Sequence, residues 1–322
     1  MVHVPVLCAE VVQALQPEHG GLFVDCTVGL GGHAAALLQA GASRILGLDR
    51  DAQALEQARF HLAPWEDRVT LVHADYRDID AVLDRQSICR IDGALADLGV
   101  SSLQLDTPDR GFSFSHDAPL DMRMDRSSGE PVAALVARAS EPELADVIFQ
   151  YGEERFARRI ARAIVRARAT QPIERTLQLA DVVRRAVPRR GYTRIDPATR
   201  TFQALRIWVN RELDGLDRFL VAIVRRLRVG ARLAVIAFHS LEDRVVKHTL
   251  RGLASKHTLQ DLASNHALRD LASGQGPLVR LVTTRPIVAG DEEVQRNPRS
   301  RSAKLRVAER VMPPTGETGA AE

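Results

Sequence analysis

Short apolar segments alternate with amphipathic segments along the first hundred residues of the chain. After each apolar run, the apolar residues recur at helical spacing. This alternation is typical of a parallel β-sheet whose strands are joined by crossover helices. The predicted strands are residues 22–26, 44–49, 69–74 and 91–97. The pattern therefore predicts an open α/β sheet.

The strand pattern stops after Asp97 and returns at residues 232–238. Between 105 and 214 the apolar residues recur at helical spacing, which predicts an inserted helical domain. The helices predicted within it are residues 143–151, 153–169, 176–186 and 199–213. We therefore expect a core of residues 1–104 and 215–311, with the helical domain inserted after the fourth strand.

The rest of the chain completes this predicted core. A helix at 217–227, ended by Gly230, leads into the strand at 232–238. The last two predicted strands are residues 278–286 and 302–308. Residues 252–277 lack a strong period and predict a helical or loop excursion. The tail at 312–322 has almost nothing to bury and is predicted to be disordered.

Composition places the chain among soluble globular proteins. It has 322 residues, of which 45% are hydrophobic and 26% are charged. Because no apolar run could span a bilayer and the N-terminus does not resemble a signal peptide, we expect a cytoplasmic protein with no membrane partner. The cysteines, Cys8, Cys26 and Cys89, form no Cys-x-x-Cys pair. We expect three small buried residues, with neither a disulfide framework nor a metal site.

The net charge of +3 is small, but its distribution is uneven. Residues 151–211 carry 15 Arg against 5 acidic residues, and residues 294–310 carry six basic residues against one Glu. Basic stretches on a nearly neutral protein favour a polyanionic partner such as nucleic acid. The alternative is a solvated helix surface, since 41 of the 44 basic residues are Arg.

A glycine-rich turn follows the first predicted strand and predicts a nucleotide-like ligand. Gly29, Gly31 and Gly32 allow a sharp bend and a close approach of backbone to ligand. With Asp49, this spacing also fits a dinucleotide site whose carboxylate accepts from ribose hydroxyls. However, Asp25 ends the strand four residues before Gly29, as in S-adenosylmethionine-dependent methyltransferases. An acid there suits a cationic amino acid group and opposes a pyrophosphate.

The next two strands end in further candidate ligand residues. Tyr76 can pack against an adenine ring and Asp75 can accept from its amino group. The alternative for Tyr76 is a plain core aromatic. Asp97 ends the fourth strand, at the edge where open α/β sheets bind ligands. These positions favour S-adenosylmethionine over a nicotinamide cofactor.

Longer strings then make a specific resemblance. They occupy residues 97–106, 110–114, 119–125, 151–156, 199–204, 206–210 and 238–244. Together they resemble the ribosomal RNA small subunit methyltransferase H family, also called MraW, from His3 to about Arg310. The resemblance implies a Rossmann-like class I methyltransferase sheet. It also implies methyl transfer from S-adenosylmethionine to the N4 amino group of a cytidine in small-subunit (16S) ribosomal RNA.

The resemblance also implies a set of site residues. The cofactor-binding positions carried over are Gly31, Gly32, His33, Asp49, Tyr76, Asp97 and Gln104. The family often has Phe where this chain has Tyr76, a change that preserves stacking. His33 beside the glycines is expected to face the ligand, although a capping histidine is the alternative.

Catalysis is expected at the ends of the fourth and fifth strands. Many amino methyltransferases have an Asp or Asn followed by two prolines there, whereas this chain continues Asp97-Leu-Gly-Val. The carboxylate is kept and the proline carbonyl is lost, so Asp97 as acceptor for the amine competes with a role in cofactor binding. His239 and Ser240 are further catalytic candidates that could hold the flipped base. The alternative for His239 is a structural histidine.

The RNA partner is expected to contact two basic segments. One is a helix face with Arg155, Arg159, Arg162 and Arg166, and the other is residues 297–304. By resemblance the partner is small-subunit ribosomal RNA in an assembled or nearly assembled subunit, and a homodimer is left open. Two other function classes also stay open on sequence: an NAD-dependent oxidoreductase and a non-catalytic RNA-binding protein.

Overall fold

A computed structural model describes residues 5–188, 196–255 and 277–311. The chain forms two compact units: the first combines Met1–Gly99 with Leu213–Glu322, and the second is Val100–Glu212. The sequence-predicted boundaries, after residues 104 and 214, lie five and two residues from these. The excursion predicted at 252–277 falls largely outside the described residues, as does the tail at 312–322.

The first unit contains a mixed seven-stranded sheet of order β3-β2-β1-β4-β5-β7-β6. The strands are β1 Leu22–Asp25, β2 Arg44–Asp49, β3 Val69–His73, β4 Ile91–Asp97, β5 Leu227–Ala237, β6 Val279–Leu281 and β7 Lys304–Arg310. The first five are parallel, and β7 runs antiparallel to both β5 and β6. The predicted α/β class is confirmed, and the carboxyl ends of β1, β2 and β4 meet at one edge.

Helices cover both faces of this sheet. Those of the first unit are α1 Cys8–Leu15, α2 Gly32–Gln39, α3 Ala52–His61, α4 Ile79–Arg85, α11 Leu216–Arg226, α12 Ser240–Ala254 and α13 Asp291–Arg296. One apolar core joins α4, α11 and α12 to the sheet, and a second joins α1, α2 and α3 to its other face. Because both faces are buried, the strands read as continuous apolar runs. Within β4, a side chain at Gly93 would collide with the ring of Phe23.

The second unit is helical. Its helices are α5 Ser102–Asp106, α6 Val132–Arg138, α7 Glu141–Gly152, α8 Ala157–Thr170, α9 Thr176–Ala186 and α10 Ala198–Asn210. Each long helix turns an apolar face into one shared core. A capping box begins α7, in which the Ser140 hydroxyl accepts from the Glu143 N–H. The described part of the chain holds no helix long and apolar enough to cross a membrane.

Several predicted boundaries were wrong for local reasons. The helix expected from 153 begins at Ala157, because Glu153 adopts a left-handed conformation (φ 48°) at the end of α7. Gly230 does not end a helix. It lies inside β5 at φ 85°, where the ladder to β4 skips from Leu227 to Arg232. That irregular stretch accommodates the glycine within the strand.

The last strands and the cysteines also differ from expectation. The strand expected at 278–286 is only Val279–Leu281, because the next two N–H groups, of Val282 and Thr283, both donate to the carbonyl of Val307. The strand expected at 302–308 occupies Lys304–Arg310. Only Cys26 is buried; Cys8 is partly buried and Cys89 is exposed. The prediction of three buried cysteines was therefore wrong for Cys8 and Cys89, because composition does not show where a residue lies in the fold.

Candidate cofactor and catalytic site

Three carboxylates mark the edge of the sheet where the predicted site lies. Asp25, Asp49 and Asp97 are the last residues of β1, β2 and β4. Asp25 pairs with Gly47 on one side and with Leu95 on the other. Parallel pairing therefore brings the three strand ends together, at the edge where such sheets bind ligands.

The glycine turn between β1 and α2 has two kinds of glycine. Gly29 has φ 51°, and its missing side chain would meet open space, with nothing nearer than 3.9 Å. Gly31 has φ 84°, and a Cβ there would lie 2.9 Å from the side chain of Leu62. A Cβ on Gly32 would lie 2.6 Å from Cγ of Pro5. Glycine is thus required at 31 and 32 by packing as well as by any ligand.

Asp25, His33 and the partly exposed Asp97 form a cluster beside this turn. Asp25 is 1% exposed and His33, in the first turn of α2, is 6% exposed. Nε2 of His33 lies 3.6 Å from Oδ2 of Asp97. Among the described residues, no hydrogen-bond partner reaches Asp25 Oδ2, Asp97 Oδ1 or either ring nitrogen of His33. The structure therefore brings two of the predicted site residues, His33 and Asp97, to the acid that precedes the glycines.

Thr27 joins the two acids and was missed by sequence reasoning. Its N–H donates to Oδ1 of Asp25 at 3.2 Å, and its hydroxyl accepts from the N–H of Asp97 at 2.7 Å. The only sequence signal was its position between the strand end and the glycines. Thr27 therefore links the carboxyl of Asp25 to the backbone of Asp97.

Burial and charge shift the titration of this cluster. Burial raises the pKa of Asp25 to about 7, against the opposing charge of His33. For His33, burial acts to lower the pKa, but nearby Asp97, the thiol of Cys8 and Asp25 outweigh it and raise the pKa to about 10. At neutral pH the imidazole is therefore cationic and the Asp25 carboxyl is close to half protonated.

Asp49 is engaged by the backbone on both oxygens. Oδ2 accepts from the N–H of Gly29 at 2.8 Å, and Oδ1 accepts from the N–H of Asp51 at 2.8 Å. Burial raises its pKa to about 6, although these two hydrogen bonds act in the opposite direction. Each carboxylate oxygen keeps a second lone pair, so a ribose hydroxyl can still be accepted. Asp49 thus shapes the glycine turn in addition to its predicted ligand role.

Tyr76 packs against the hydrophobic core, which matches its structural alternative, and Asp75 has another partner. The ring of Tyr76 packs on Phe219, with centroids 4.7 Å apart, and its pKa is raised by burial. Both oxygens of Asp75 bind the guanidinium of Arg77, at 2.8 and 2.5 Å. Although burial opposes it, this pair lowers the pKa of Asp75. The amino-group acceptor expected at Asp75 is therefore already bound by an arginine.

His239 and Ser240 lie at the same sheet edge, at the start of α12. Asp97 pairs with Ile236 of β5, so the residues after Ala237 follow at that edge. Nδ1 of His239 accepts from the N–H of Glu242 at 3.3 Å, and Nε2 lies 3.1 Å from Oε1 of Glu242. His239 is therefore the N-cap of α12, which matches the structural alternative. Ser240 is exposed.

Gln104 belongs to the second unit. Its side-chain oxygen accepts from the N–H of Ser101 at 3.0 Å, while the Ser101 hydroxyl accepts from the N–H of Gln104 at 3.3 Å. This capping box begins α5 and buries the amide side chain. A ligand role for Gln104 stays a prediction from the resemblance.

The predicted basic surface, formed by Arg155 just before α8 and by three arginines of α8, is exposed. Arg155, Arg159, Arg162 and Arg166 all face solvent, while residues such as Ile160 and Ile164 on the other side are buried. Arg162 lies 3.3 Å from a carboxylate oxygen of Glu141. In the segment at 297–304, Ser300 is buried and Lys304 lies 3.3 Å from Asp243. Arg162 and Lys304 each lie beside a carboxylate, so a phosphate would compete with Glu141 or Asp243 for them.

The acidic residues at the sheet edge fit S-adenosylmethionine better than a dinucleotide. The buried carboxyl of Asp25 and the partly buried carboxyl of Asp97 each have an oxygen with no partner among the described residues, which suits an ammonium ion. The same carboxylates would repel a pyrophosphate at the start of α2. The residues therefore fit the amino acid half of S-adenosylmethionine and oppose the dinucleotide alternative.

Comparison with known proteins places the chain among close relatives. The model of the MraW methylase family matches residues 1–311. The ribosomal RNA small subunit methyltransferase H of Geotalea uraniireducens (strain Rf4) is 50% identical over 312 residues, 96% of this chain and 98% of that protein. The protein of the same name from Nitratidesulfovibrio vulgaris (strain DSM 19637 / Miyazaki F) is 51% identical over 96% of this chain and 86% of its own. A solved rRNA methylase from Streptococcus thermophilus is a distant neighbour, with 12% identity and a TM-score of 0.39 over 97% of this chain and 99% of its own.

Proposed function

Because the chain belongs to the MraW methylase family, we propose that it transfers a methyl group from S-adenosylmethionine to small-subunit ribosomal RNA. The resemblance expected from the sequence is thereby confirmed, and the chain is an S-adenosylmethionine-dependent methyltransferase. The acceptor atom we propose is the N4 amino group of a cytidine, as the family implies. The oxidoreductase and the non-catalytic alternatives gain no support from the relatives.

One structural observation carries the cofactor assignment. Asp25 and Asp97 present unpartnered oxygens, judged within the described ranges, directly beside the glycine turn. We assign the cofactor's ammonium group to these two acids, the ribose to Asp49 and the adenine to Tyr76. Gly31, Gly32 and His33 line the turn, and Gln104 completes the proposed set by resemblance.

In this reaction the leaving group needs no assistance, whereas the nucleophile must be activated by positioning. When bound, S-adenosylmethionine supplies an electrophilic methyl group on a sulfonium, whose departure needs no proton. The amino nitrogen of cytosine is a weak nucleophile because its lone pair is delocalised into the ring. The protein must therefore orient that amine and accept its hydrogen bonds, so positioning supplies much of the rate.

We propose that the groups at the ends of β4 and β5 hold the amine. Asp97, whose side chain is a quarter exposed, has a carboxylate able to accept from an amino group. Ser240 is exposed at the start of α12 and offers a hydroxyl. As the N-cap of α12, His239 holds the start of that helix at the end of β5. Its contact with the base stays a prediction.

The proposed RNA substrate determines where the enzyme acts and which surface contacts the RNA. We propose that the RNA is methylated within an assembled or nearly assembled small subunit in the cytoplasm. The exposed arginines of α8 support contact with phosphates, since they form a basic surface on a nearly neutral chain. A homodimer stays a prediction that analytical ultracentrifugation would check.

Tritiated methyl transfer tests the proposal directly. Small subunits and free small-subunit RNA, each lacking the modification, are incubated with labelled cofactor and the enzyme, and the nucleosides are then separated. We expect label in N4-methylcytidine, with subunits preferred over free RNA, and a large loss for Asp97→Asn. Label in another nucleoside, or none in RNA, would contradict the proposal.

A further inference from the structure

The cluster of Asp25, His33 and Asp97 is unusual for its buried polar atoms. Within the described part of the chain, Asp25 Oδ2, Asp97 Oδ1 and both ring nitrogens of His33 lack hydrogen-bond partners. Buried polar atoms without a hydrogen bond are destabilising. An arrangement that leaves four of them at one sheet edge is retained for a purpose other than stability.

The positive charge of His33 offsets the repulsion between Asp25 and Asp97 in the free protein. Two acids at the ends of adjacent strands would repel each other, and His33 lies 3.6 Å from one of them. His33 sits in the first turn of α2, where a helix disfavours a cation. The groups that face the cluster are the carboxyls of Asp25, Asp97 and Asp49 and the thiol of Cys8. The carboxylates therefore hold the imidazolium against the helix.

We propose that His33 is a positioning residue whose imidazolium ion holds the carboxyls of Asp25 and Asp97 ready, and that this cluster releases a proton when the ammonium group of the cofactor arrives. The inference rests on the proposed function and deepens it. It assigns to His33 a task performed through its two acidic neighbours, apart from any contact with the ligand.

The proton that leaves comes from Asp25. With a pKa of about 7, its carboxyl is about half protonated at pH 7 in the free protein. A second cation beside it favours the carboxylate, so the O–H bond of Asp25 breaks and the proton passes to the buffer. His33 keeps its proton, because its pKa is far above neutrality. The bound state then has two carboxylates facing two cations.

This arrangement fixes the pH dependence of cofactor binding. Release should be about half a proton at pH 7 and approach one near pH 6. Above about pH 8 the amine of the ligand itself titrates, so the profile is interpreted below that pH. Because the deprotonated form binds more tightly, affinity should rise with pH up to about 7 and then level off. Because this proton comes from Asp25, the part played by His33 is measured by how far its removal moves the profile.

Removing the imidazolium should move this profile. His33 lowers the pKa of Asp25 by its charge. Without it, the Asp25 carboxyl holds its proton to a higher pH. In His33→Gln the rise in affinity, and the proton release that accompanies it, should therefore shift to higher pH.

Calorimetry with S-adenosylhomocysteine tests the inference. This probe has the ammonium group but no sulfonium, so it isolates the interaction proposed. Binding enthalpies are measured from pH 6 to pH 8 in phosphate and in imidazole, whose ionisation enthalpies differ, for wild type, His33→Gln and the exposed control His19→Gln. We expect buffer-dependent enthalpies below pH 8 in wild type and in the control, and an upward shift in His33→Gln. Buffer-independent binding, or one profile for all three proteins, would overturn it.

A second measurement is independent of any ligand. In free protein with ¹⁵N-labelled histidine, the His33 signals, assigned by their loss in His33→Gln, should show an imidazolium up to at least pH 8.5. A His33 ring that titrates near its ordinary value of about 6.5 overturns the inference, whether or not the probe binds. Failure of S-adenosylhomocysteine to bind, with the imidazolium present, would instead contradict the proposed function and the proton release together. If His33→Gln does not fold, wild-type calorimetry and NMR still decide.

Discussion

The amide nitrogen of Asn210 donates to the carbonyl oxygen of Met122 at 2.7 Å, which ties the end of α10 to a strained loop. Met122 is fully buried and has φ 60°, a left-handed conformation that a side chain like Met rarely adopts. The amide oxygen of Asn210 also accepts from the N–H of Met124 at 2.8 Å. The guanidinium of Arg110 donates to the carbonyl oxygen of Met124 at 2.8 Å. Three of the strings that carry the family resemblance, 110–114, 119–125 and 206–210, therefore meet in one network.

Replacing Asn210 with Ala should destabilise the second unit. The change leaves buried backbone groups of Met122 and Met124 unpaired, at about 1–3 kcal/mol each. We expect the free energy of unfolding to fall by about 2–4 kcal/mol. Urea denaturation followed by Trp208 fluorescence, in a Trp65→Phe background, measures it in that unit. Gln171→Ala, at the exposed end of α8, is the control and should shift the midpoint little; equal effects would contradict the network's role.

Replacing Asp25 with Asn should change how stability depends on pH. The pKa of Asp25 is about 7 in the folded protein and about 3.9 when unfolded, so the folded state binds the extra proton between these values. The wild type therefore loses stability from this group as pH rises from 4 to 7. Asn keeps the acceptor for the Thr27 N–H and cannot ionise. Relative to wild type, its stability should rise across that window by up to about 4 kcal/mol.

Urea unfolding at pH 5 and pH 7.5 checks this, read from Trp65 in a Trp208→Phe background. The same variant should bind S-adenosylhomocysteine more weakly, because one of the proposed ammonium partners is gone. A stability difference that stays constant between the two pH values would show that burial does not perturb Asp25 as the structure indicates.

Two substitutions separate the capping and catalytic roles of His239. His239→Ala removes the N-cap of α12 and should lower stability by about 1 kcal/mol, and we expect turnover to fall more than cofactor affinity. His239→Asn restores a cap without an imidazole. If the role is catalytic, Asn recovers the melting temperature but not kcat. Recovery of both would leave His239 a structural residue, and wild-type turnover in His239→Ala would remove it from the catalytic set.

Charge reversal on α8 should weaken RNA binding alone. Arg159→Glu removes one exposed cation from the basic face, so the affinity for small-subunit RNA should fall and the salt dependence should lose about one unit of slope. Cofactor affinity should not change. Arg59→Glu, an exposed arginine on α3, alters net charge equally and is the matched control. Filter binding at several salt concentrations distinguishes them; identical curves for the two variants would argue against this face.

Local patterns predicted what depends on neighbouring residues in the chain. The first four strands were found within one residue because each is an apolar run bounded by turn residues. Thr176–Ala186 was placed correctly because its amphipathic period is regular. The errors fell where backbone conformation broke the pattern, as at Glu153 and Gly230. A left-handed residue leaves little trace in hydrophobic spacing.

Side-chain partners were harder to foresee. Asp75 was expected to face an adenine, and only the fold shows Arg77 on both of its oxygens. His239 has the same sequence context whether it caps a helix or touches a base. Pro5 and Leu62, which explain Gly32 and Gly31, are remote in sequence from the turn they pack against.

The sequence by itself determined the sheet, the inserted helices, the glycine turn and the family, because these follow from periodicity and from strings of adjacent residues. Only the tertiary structure decided which charged groups lie close enough to interact. It brought Asp25, His33 and Asp97 from three elements into one cluster and linked the acids through Thr27. Burial and proximity set the pKa values there, and both are properties of packing that no local pattern carries.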